Sequence, residues 1–152
     1  MKTFRIGSGA GYSGDRIDPA QDLAERGKLD ALVFECLAER TIALAQLRRI
    51  KDPAHGYDPL LRQRLQAVLP ACVSQGVTII TNMGAANPLA AGQEALRVAR
   101  ELGLARLRVA VVMGDDVDIE RFPHVADHYR RMAADLVVIK VLAAQSAPAL
   151  PA

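Results

Sequence analysis

Polar and acidic side chains follow four short apolar runs of this sequence, at the points where each run ends. The four segments are residues 7–15 (GSGAGYSGD), 35–40 (ECLAER), 82–87 (NMGAAN) and 114–116 (GDD). Open α/β sheets bind their ligands outside the carboxyl ends of the strands. If the apolar runs are parallel strands, these segments meet at one edge of the sheet, and we expect the function to lie there.

The first of these segments is rich in glycine, with four glycines within eight residues. Glycine allows positive φ angles and lets a ligand approach the backbone closely. This composition favours a binding loop over an ordinary connection. The residues expected to bind substrate here are Gly9, Gly11, Ser13, Gly14 and Asp15.

The same segment matches the dinucleotide-binding pattern G-x-G-x-x-G after a strand. In that motif a helix opens directly after the glycines, whereas the next helix start here, Asp18-Pro19, lies four residues beyond the last glycine. A different anionic or polar ligand is therefore favoured over a nicotinamide or flavin. A purely structural turn between strand and helix is a further alternative.

Carboxylates supply the candidate catalytic groups. Glu35 and Glu39 lie near Arg40, which we expect to bind substrate, and Asp115 and Asp116 end the fourth apolar run. Positioned carboxylates act as general acids and bases, so we assign catalysis to these four acidic side chains. The alternatives are an ordinary ion pair at a helix start, a helix cap and, less favoured, a divalent metal at Asp115 and Asp116.

The third segment leads into a helix at Asn87-Pro88. Free N–H groups at a helix start attract anions, and small residues leave room for a ligand. We therefore expect Asn82, Gly84 and Asn87 to bind a carboxylate, a phosphate or an amide. The alternative is that Asn87 only caps its helix and Asn82 only fixes the loop.

The remaining chemistry-bearing residues favour structural roles. His124 and His128 have the i, i+4 spacing of two metal ligands on a helix. No third ligand is evident, so a solvated helix face is favoured and no metal site is predicted. Cys36 and Cys72 lie far apart in apolar surroundings, which indicates reduced core thiols in a cytoplasmic protein.

Length and composition limit the class of protein. The chain has 152 residues, 51% of them apolar and only 4% aromatic, which suits one domain of helices packed on a parallel sheet. The net charge of +2 gives no reason to expect a nucleic-acid partner, and no apolar run reaches the length of a membrane span. Arg48, Arg49 and Lys51 are interpreted as a solvated helix end rather than a phosphate track.

The apolar runs predict five strands, at residues 4–6, 31–36, 77–81, 107–113 and 136–142. Because the later runs are nearly continuous rather than alternating, they favour strands covered by helices on both faces. Helix starts are marked by Asp18-Pro19, Asp58-Pro59 and Asn87-Pro88. In residues 58–75 the apolar stripe contains Leu61, Leu65 and Val68, with Arg64 assigned to another face.

These elements predict an α/β fold. We expect a three-layer open sheet of about five mostly parallel strands, Rossmann-like or flavodoxin-like, with helices on both faces. Residues 1–145 are predicted to form a single domain, and residues 146–152 a disordered tail.

The stretches RIGSGAGYSGDRIDPAQDLAERGKLDALVFECLAERTIALAQ, DPAHGYDPLLRQRLQAVLP, TNMGAANPLAA and VAVVMGDDV together resemble the N-terminal part of the acyclic terpene utilisation protein A family. The similarity covers residues 4–117. It implies a role in isoprenoid-acid breakdown, with a coenzyme A thioester as a possible substrate. Members of that family are longer, so we expect self-association or a companion subunit to supply what their second segment supplies.

Three functions remain open at this point. The leading one is a small-molecule enzyme or enzyme subunit of carboxylic-acid or acyl-CoA catabolism, of the lyase or hydratase kind, that binds an anionic substrate. A noncatalytic assembly or binding subunit of a catabolic complex is the second. The third is a nucleotide-binding oxidoreductase module, which the glycine spacing and Glu35 favour.

Overall fold

A computed structural model describes residues 3–104 and 106–114. The described residues up to Met113 belong to one compact unit, Met1–Met113. The elements, in chain order, are β1 (Ile6–Ala10), α1 (Asp18–Arg26), β2 (Ala31–Phe34), α2 (Glu39–Lys51), α3 (Leu61–Gln75), β3 (Thr78–Thr81) and α4 (Pro88–Glu101). The predicted domain end at residue 145 and the predicted tail at residues 146–152 lie outside the described residues.

The three strands form one parallel sheet in the order β1-β2-β3. This confirms the α/β class and the parallel pairing. The order also places β2 in the centre, paired with β1 through Gly7–Leu32 and with β3 through Leu32–Ile79. The carboxyl ends of all three strands therefore lie along one edge of the sheet.

The first strand differs from its prediction at residues 4–6, because it begins at Ile6 and continues to Ala10. Gly7 and Gly9 therefore lie within the strand rather than in the loop. Both are buried, and a methyl group at Gly9 would lie 2.7 Å from Cε1 of Phe34. The space that Gly9 leaves is occupied by the Phe34 ring, which explains the glycine by packing.

The predicted fourth strand, residues 107–113, is not a strand in the structure. Val111 lies against α4, since a methyl group at Gly92 would lie 2.7 Å from its Cγ2, while Val112 and Met113 are exposed. The predicted fifth strand, residues 136–142, lies outside the described residues. Three of the five expected strands are therefore formed in the described ranges.

Helices cover one face of the sheet in the described part of the chain. α1 packs on β1 and β2, and α3 packs against α1 and α4. On the opposite face Ile6 is 66% exposed and Ile80 is 54% exposed. The expected second helical layer is therefore not formed by the described residues, and their architecture has two layers rather than three.

The core lies between the covered face of the sheet and the helices. Leu32 and Phe34 point into it from β2 and are almost fully buried. The other buried members include Ala20, Ala24, Leu61, Leu65, Val68, Leu69, Cys72 and Val98. Burial of apolar side chains contributes about 25 cal/mol per Å² removed from water, so this cluster holds the helices on the sheet.

The predicted helix starts have different local structures. Asn87 caps α4 as expected, because its Oδ1 accepts the N–H of Ala90 at 3.3 Å. Asp58 Oδ1 accepts the N–H of Leu60 at 2.7 Å in the turn that leads into α3. Asp18 does not cap α1, since it lies inside the helix and its carboxylate accepts from Nε of Arg16 at 3.0 Å.

Among the described residues, no helix combines the length and the apolar character that crossing a membrane requires.

Candidate functional site

Two adjoining clefts lie at the carboxyl edge of the sheet. They enclose about 230 and 180 Å³ of empty space, counting space open to solvent. Ser13 follows β1 and Cys36 follows β2, and both line each cleft, while Asn82 after β3 lines the larger one. The three loops that follow the described strands therefore converge. Much of this space is open solvent: the part that admits a water molecule is only about 10 and 40 Å³, so neither cleft encloses a whole ligand.

Asn82 joins the ends of β2 and β3. Its Oδ1 accepts the backbone N–H of Cys36 at 2.7 Å, and its Nδ2 donates to Oε1 of Glu35 at 2.8 Å. The same Glu35 oxygen accepts the N–H of Leu37 at 3.1 Å. Asn82 therefore fixes the loop and also orients the Glu35 carboxylate, whose Oε2 accepts no hydrogen bond from the described residues.

The glycine loop after β1 is closed by its own acidic residue. Asp15 Oδ2 accepts the N–H of Gly11 at 2.6 Å, and the N–H of Asp15 donates to the carbonyl of Tyr12 at 3.2 Å. A methyl group at Gly14 would lie 2.6 Å from Cε2 of Tyr12. Asp15 and Gly14 thus shape the loop, whereas the Ser13 hydroxyl has no partner among the described residues and lies at the cleft.

Arg64 of α3 contacts this loop from the core and is fully buried. Its Nη2 donates to the carbonyl oxygens of Ser13 at 2.9 Å and Asp15 at 3.1 Å, with a longer contact of 3.5 Å to Tyr12. In a trans peptide the C=O and the following N–H point in opposite directions. The N–H groups of Ser13 and Gly14 therefore point away from Arg64, and they have no acceptor among the described residues.

Successive backbone N–H groups that point the same way form a concavity that binds anions. The carbonyls of Tyr12 and Ser13 are held by Arg64, so the two following N–H groups are held in position as well. This arrangement is a candidate anion site at the edge of the clefts.

The Arg64 charge is balanced mainly by Asp58. Nη1 lies 3.5 Å from Asp58 Oδ1 and also contacts Cys36 Sγ at 3.4 Å and Met83 Sδ at 3.8 Å. Asp58 is itself buried, and its N–H donates to the Met83 carbonyl at 2.8 Å. Nε of Arg64 is a buried donor without a partner among the described residues. A buried charge pair of this kind is stable only when both partners are present.

The two thiols are neutral at physiological pH. Burial raises the pKa of Cys36 to about 11, although the nearby Arg64 charge lowers it. Burial also raises the pKa of Cys72. Both cysteines are free and buried, as the sequence predicts, and the protonated thiol is a poor nucleophile.

Asn87 connects two loops beside the larger cleft. Its Nδ2 donates to the carbonyls of Pro53 and His55, both at 2.8 Å, while Oδ1 caps α4. All of its polar atoms therefore have partners in the protein. Gly84 lies in the same loop, where a methyl group would lie 3.0 Å from Cα of Pro88. Ala85 lines the larger cleft with a φ of +45°, in the left-handed region.

Glu39 and Arg40 are exposed at the start of α2 and line neither cleft. Neither makes an ion pair with another described residue, so the expected pairing is not seen there. The cation at the larger cleft is Arg48, two turns further along α2 and half-buried. Arg48, Arg49 and Lys51 all lie in the last turn of α2, as the interpretation of this cluster as a helix end expects.

Asp115, Asp116, His124 and His128 lie outside the described residues. Within the described ranges, no group of three or more His, Cys, Asp or Glu side chains is arranged to hold a metal ion.

The sequence interpretation missed one residue that organises the site, Arg64. Arg64 lies three residues after Leu61 and four before Val68, a spacing that places it on the apolar face of α3. That spacing was the available signal.

The described fold and the clefts at its carboxyl edge define an open parallel α/β protein. The sequence model described as "Acyclic terpene utilisation family protein AtuA" matches residues 4–143, and the chain belongs to this family. This confirms the resemblance drawn from the sequence motifs. No curated protein and no solved structure shows a significant match to the chain.

Proposed function

We propose that this chain is a small-molecule enzyme, or an enzyme subunit, of isoprenoid and carboxylic-acid catabolism. It binds an anionic substrate, with a coenzyme A thioester as a possible form, at the carboxyl edge of the sheet. Membership of the acyclic terpene utilisation family supports the pathway. The observation that carries the site is the convergence of Ser13, Cys36 and Asn82, from three different strand ends, on adjoining clefts.

Glu35 is the described carboxylate best suited to the chemistry in this proposal. It lines the smaller cleft, and the Asn82 amide and the Leu37 N–H hold one of its oxygens while the other is available. A carboxylate in this position can accept or donate a proton, as a lyase or hydratase step requires. Asp115 and Asp116 stay in the proposal as further acid–base candidates, and a divalent metal between them is the less favoured alternative.

A ligand panel tests this proposal against the nucleotide-binding alternative. The full chain is screened by thermal shift with coenzyme A, short acyl-CoAs, short carboxylates, NAD, NADP and FAD. Binding to the folded state raises the melting temperature. We expect stabilisation by a carboxylate or an acyl-CoA and none by the three dinucleotides. Stabilisation by NAD or FAD alone would favour the oxidoreductase reading instead.

The variant Asn82→Ala tests whether the ligand binds at the cleft that Asn82 lines. The variant removes the link to Glu35 and the acceptor for Cys36 N–H, so we expect it to lose ligand stabilisation while remaining folded. Gln63→Ala, at an exposed position on α3, is the matched control and retains it. If Asn82→Ala responds to the ligand like the natural sequence, the site is elsewhere.

A second candidate is a noncatalytic assembly subunit, in which a second copy or a companion subunit covers the open face of the sheet. The exposure of Ile6 and Ile80 on that face favours it, because monomeric proteins rarely expose large contiguous apolar patches. Light scattering on the purified chain separates a monomer from an assembly. Co-purification with a carboxylase or hydratase subunit, with no turnover by the chain alone, would select this function.

We also propose a cytoplasmic location. The two free cysteines favour a reducing compartment, since thiols in oxidising compartments are commonly paired in disulfides.

A further inference from the structure

The helix α2 carries an apolar patch on the side that faces away from the protein. Ala45 is its buried residue and marks the side that faces inward. On the outward side the exposed fractions are 40% for Leu44, 55% for Leu47 and 77% for Ile50. Side chains three residues apart on a helix are neighbours, so these three form one surface, which we call the α2 patch.

Cations lie at both ends of the α2 patch. Arg40 and Lys51 are exposed, and together with Leu44 and Leu47 they have the spacing i, i+4, i+7 and i+11. This spacing places all four side chains on one side of the helix. The sequence of α2, ERTIALAQLRRIK, holds four cationic side chains and one acidic side chain, which gives the helix a net charge of +3.

The arrangement of the charges argues against a second copy of the chain as the partner. A two-fold axis through the middle of the patch, between Leu44 and Leu47, would place Arg40 of one copy opposite Lys51 of the other. A parallel pairing of the two helices would place each cation opposite itself. Like charges that face each other weaken an interface, so the α2 patch and its cations fit an anionic partner.

An anionic membrane surface fits both the apolar and the charged part of this surface. A helix that lies in the membrane interface buries its apolar side at the headgroup boundary and holds cations near anionic lipids. Long cationic side chains keep their stems on apolar surface while their charged ends reach the headgroups, which suits cations at both ends of the patch. A patch on a convex helix matches a planar surface, whereas a protein partner would have to supply a complementary acidic groove.

We propose that α2 docks this protein on an anionic membrane surface. Leu44, Leu47 and Ile50 lie at the headgroup boundary, and Arg40 and Lys51 contact the lipid phosphates. The binding is peripheral and requires no helix that spans the membrane. This inference goes beyond the proposed function and does not depend on it.

Sedimentation of the full chain with lipid vesicles tests the proposal. The vesicles contain either phosphatidylcholine alone or an equal mixture of phosphatidylcholine and the anionic lipid phosphatidylglycerol. We expect the chain to bind the mixed vesicles and to bind phosphatidylcholine alone at least about tenfold more weakly, because each cation that faces an anionic surface strengthens binding by about fivefold. Binding to the mixed vesicles should weaken as salt is added, since salt screens exposed charges.

A variant of the α2 patch then tests its apolar part. Leu47→Ser should weaken binding to the mixed vesicles by about fivefold to tenfold, because removal of the leucine side chain from water stabilises the bound state. The matched control is Leu89→Ser on α4, since Leu89 is 53% exposed and lies outside the patch. The control should stay within about twofold of the natural sequence.

A second pair of variants tests the charge. Arg40→Gln should weaken binding to the mixed vesicles by about fivefold. Its control is Arg100→Gln, which removes an exposed cation from the last turn of α4. Because screening limits the reach of a charge that lies away from the lipid, the control should stay within about twofold of the natural sequence.

Other outcomes would overturn the proposal. Equal binding to the two kinds of vesicle would overturn the role of the cations, and equal losses in Leu47→Ser and Leu89→Ser would overturn the role of α2. Absence of binding to either vesicle would overturn the membrane in favour of an acidic protein partner. A dimer, detected by light scattering and lost in Leu47→Ser, would overturn it in favour of a second copy. Melting temperatures of the variants establish that they are folded.

Discussion

Nη2 of Arg64 donates to the carbonyl oxygen of Ser13 at 2.9 Å, across 51 residues of sequence. The bond links the middle of α3 to the glycine loop after β1. Because Arg64 is fully buried, the loop at the clefts is fixed from the core rather than from the surface. The shape of the candidate site therefore depends on a residue that lines neither cleft.

The buried pair of Arg64 and Asp58 gives the first prediction. Arg64→Leu leaves the Asp58 carboxylate buried without its counter-charge and removes the donor to the loop carbonyls. We expect the free energy of unfolding to fall by about 3–5 kcal/mol, measured by urea denaturation. Arg40→Leu, at an exposed position, should change it by less than about 0.5 kcal/mol.

Adding Asp58→Leu to Arg64→Leu should recover part of the loss, since the uncompensated charge is then gone. A single Arg64→Leu variant as stable as the natural sequence would contradict the inference that this pair organises the core beneath the loop.

Gly9 gives a prediction that separates packing from ligand binding. A methyl group there would lie 2.7 Å from the Phe34 ring, so Gly9→Ala should destabilise the fold by about 1–3 kcal/mol through overpacking. Phe34→Leu added to Gly9→Ala should relieve the clash, and the coupling is measured with a double-mutant cycle. Additive effects of the two changes would show that the ring is not the reason for the glycine.

Ala85 has a positive φ without being glycine, which costs about 1–2 kcal/mol. We expect Ala85→Gly to raise the free energy of unfolding by about 0.5–1 kcal/mol, because relief of the strain exceeds the added entropy of the unfolded chain. In Ala90→Gly, on α4, the same change should lower it by about 1 kcal/mol. If chemical denaturation shows that both variants change the free energy of unfolding in the same direction, the assignment of strain to Ala85 is refuted.

The thiol of Cys36 gives a pH dependence. Its pKa is raised from the ordinary value of 9.0 to about 11 in the folded state. Above pH 9 the unfolded state loses this proton first, so the contribution is full below pH 9 and is lost as the pH rises toward 11. Stability measured across this range should fall less steeply for Cys36→Ala than for the natural sequence. Parallel curves would show that Cys36 does not contribute.

The sequence predicts the features that depend on local patterns, and it does not predict those that depend on contacts between distant residues. Parallel strands and helix ends follow from local patterns, as Leu32 in its apolar run and Asn87 before Pro88 illustrate. The charge of Arg64 predicts an exposed position on α3, whereas its spacing from Leu61 and Val68 predicts the buried face on which the structure places it. A buried arginine is uncommon, and Asp58 together with the loop carbonyls, which are distant in sequence, makes it favourable here.

The reason for Gly9 is also not visible in the sequence. A glycine beside a loop has several physical reasons, and whether a ligand or an aromatic ring fills the space depends on the register between β1 and β2. For residues 107–113 the apolar pattern allows either strand pairing or helix packing. In the structure Val111 lies against Gly92 of α4, a contact that neither segment indicates by itself.

Asn87 has a mechanical consequence for the clefts. One side chain holds the carbonyls of Pro53 and His55 and the first turn of α4, and the N–H of Ala86 holds the carbonyl of Gly56 at 2.9 Å. Any displacement of the loop at residues 82–87 must therefore be shared with residues 53–56. The two loops should exchange amide hydrogen for deuterium as one cooperative unit, and a molecule that presses on one of them will be resisted by both.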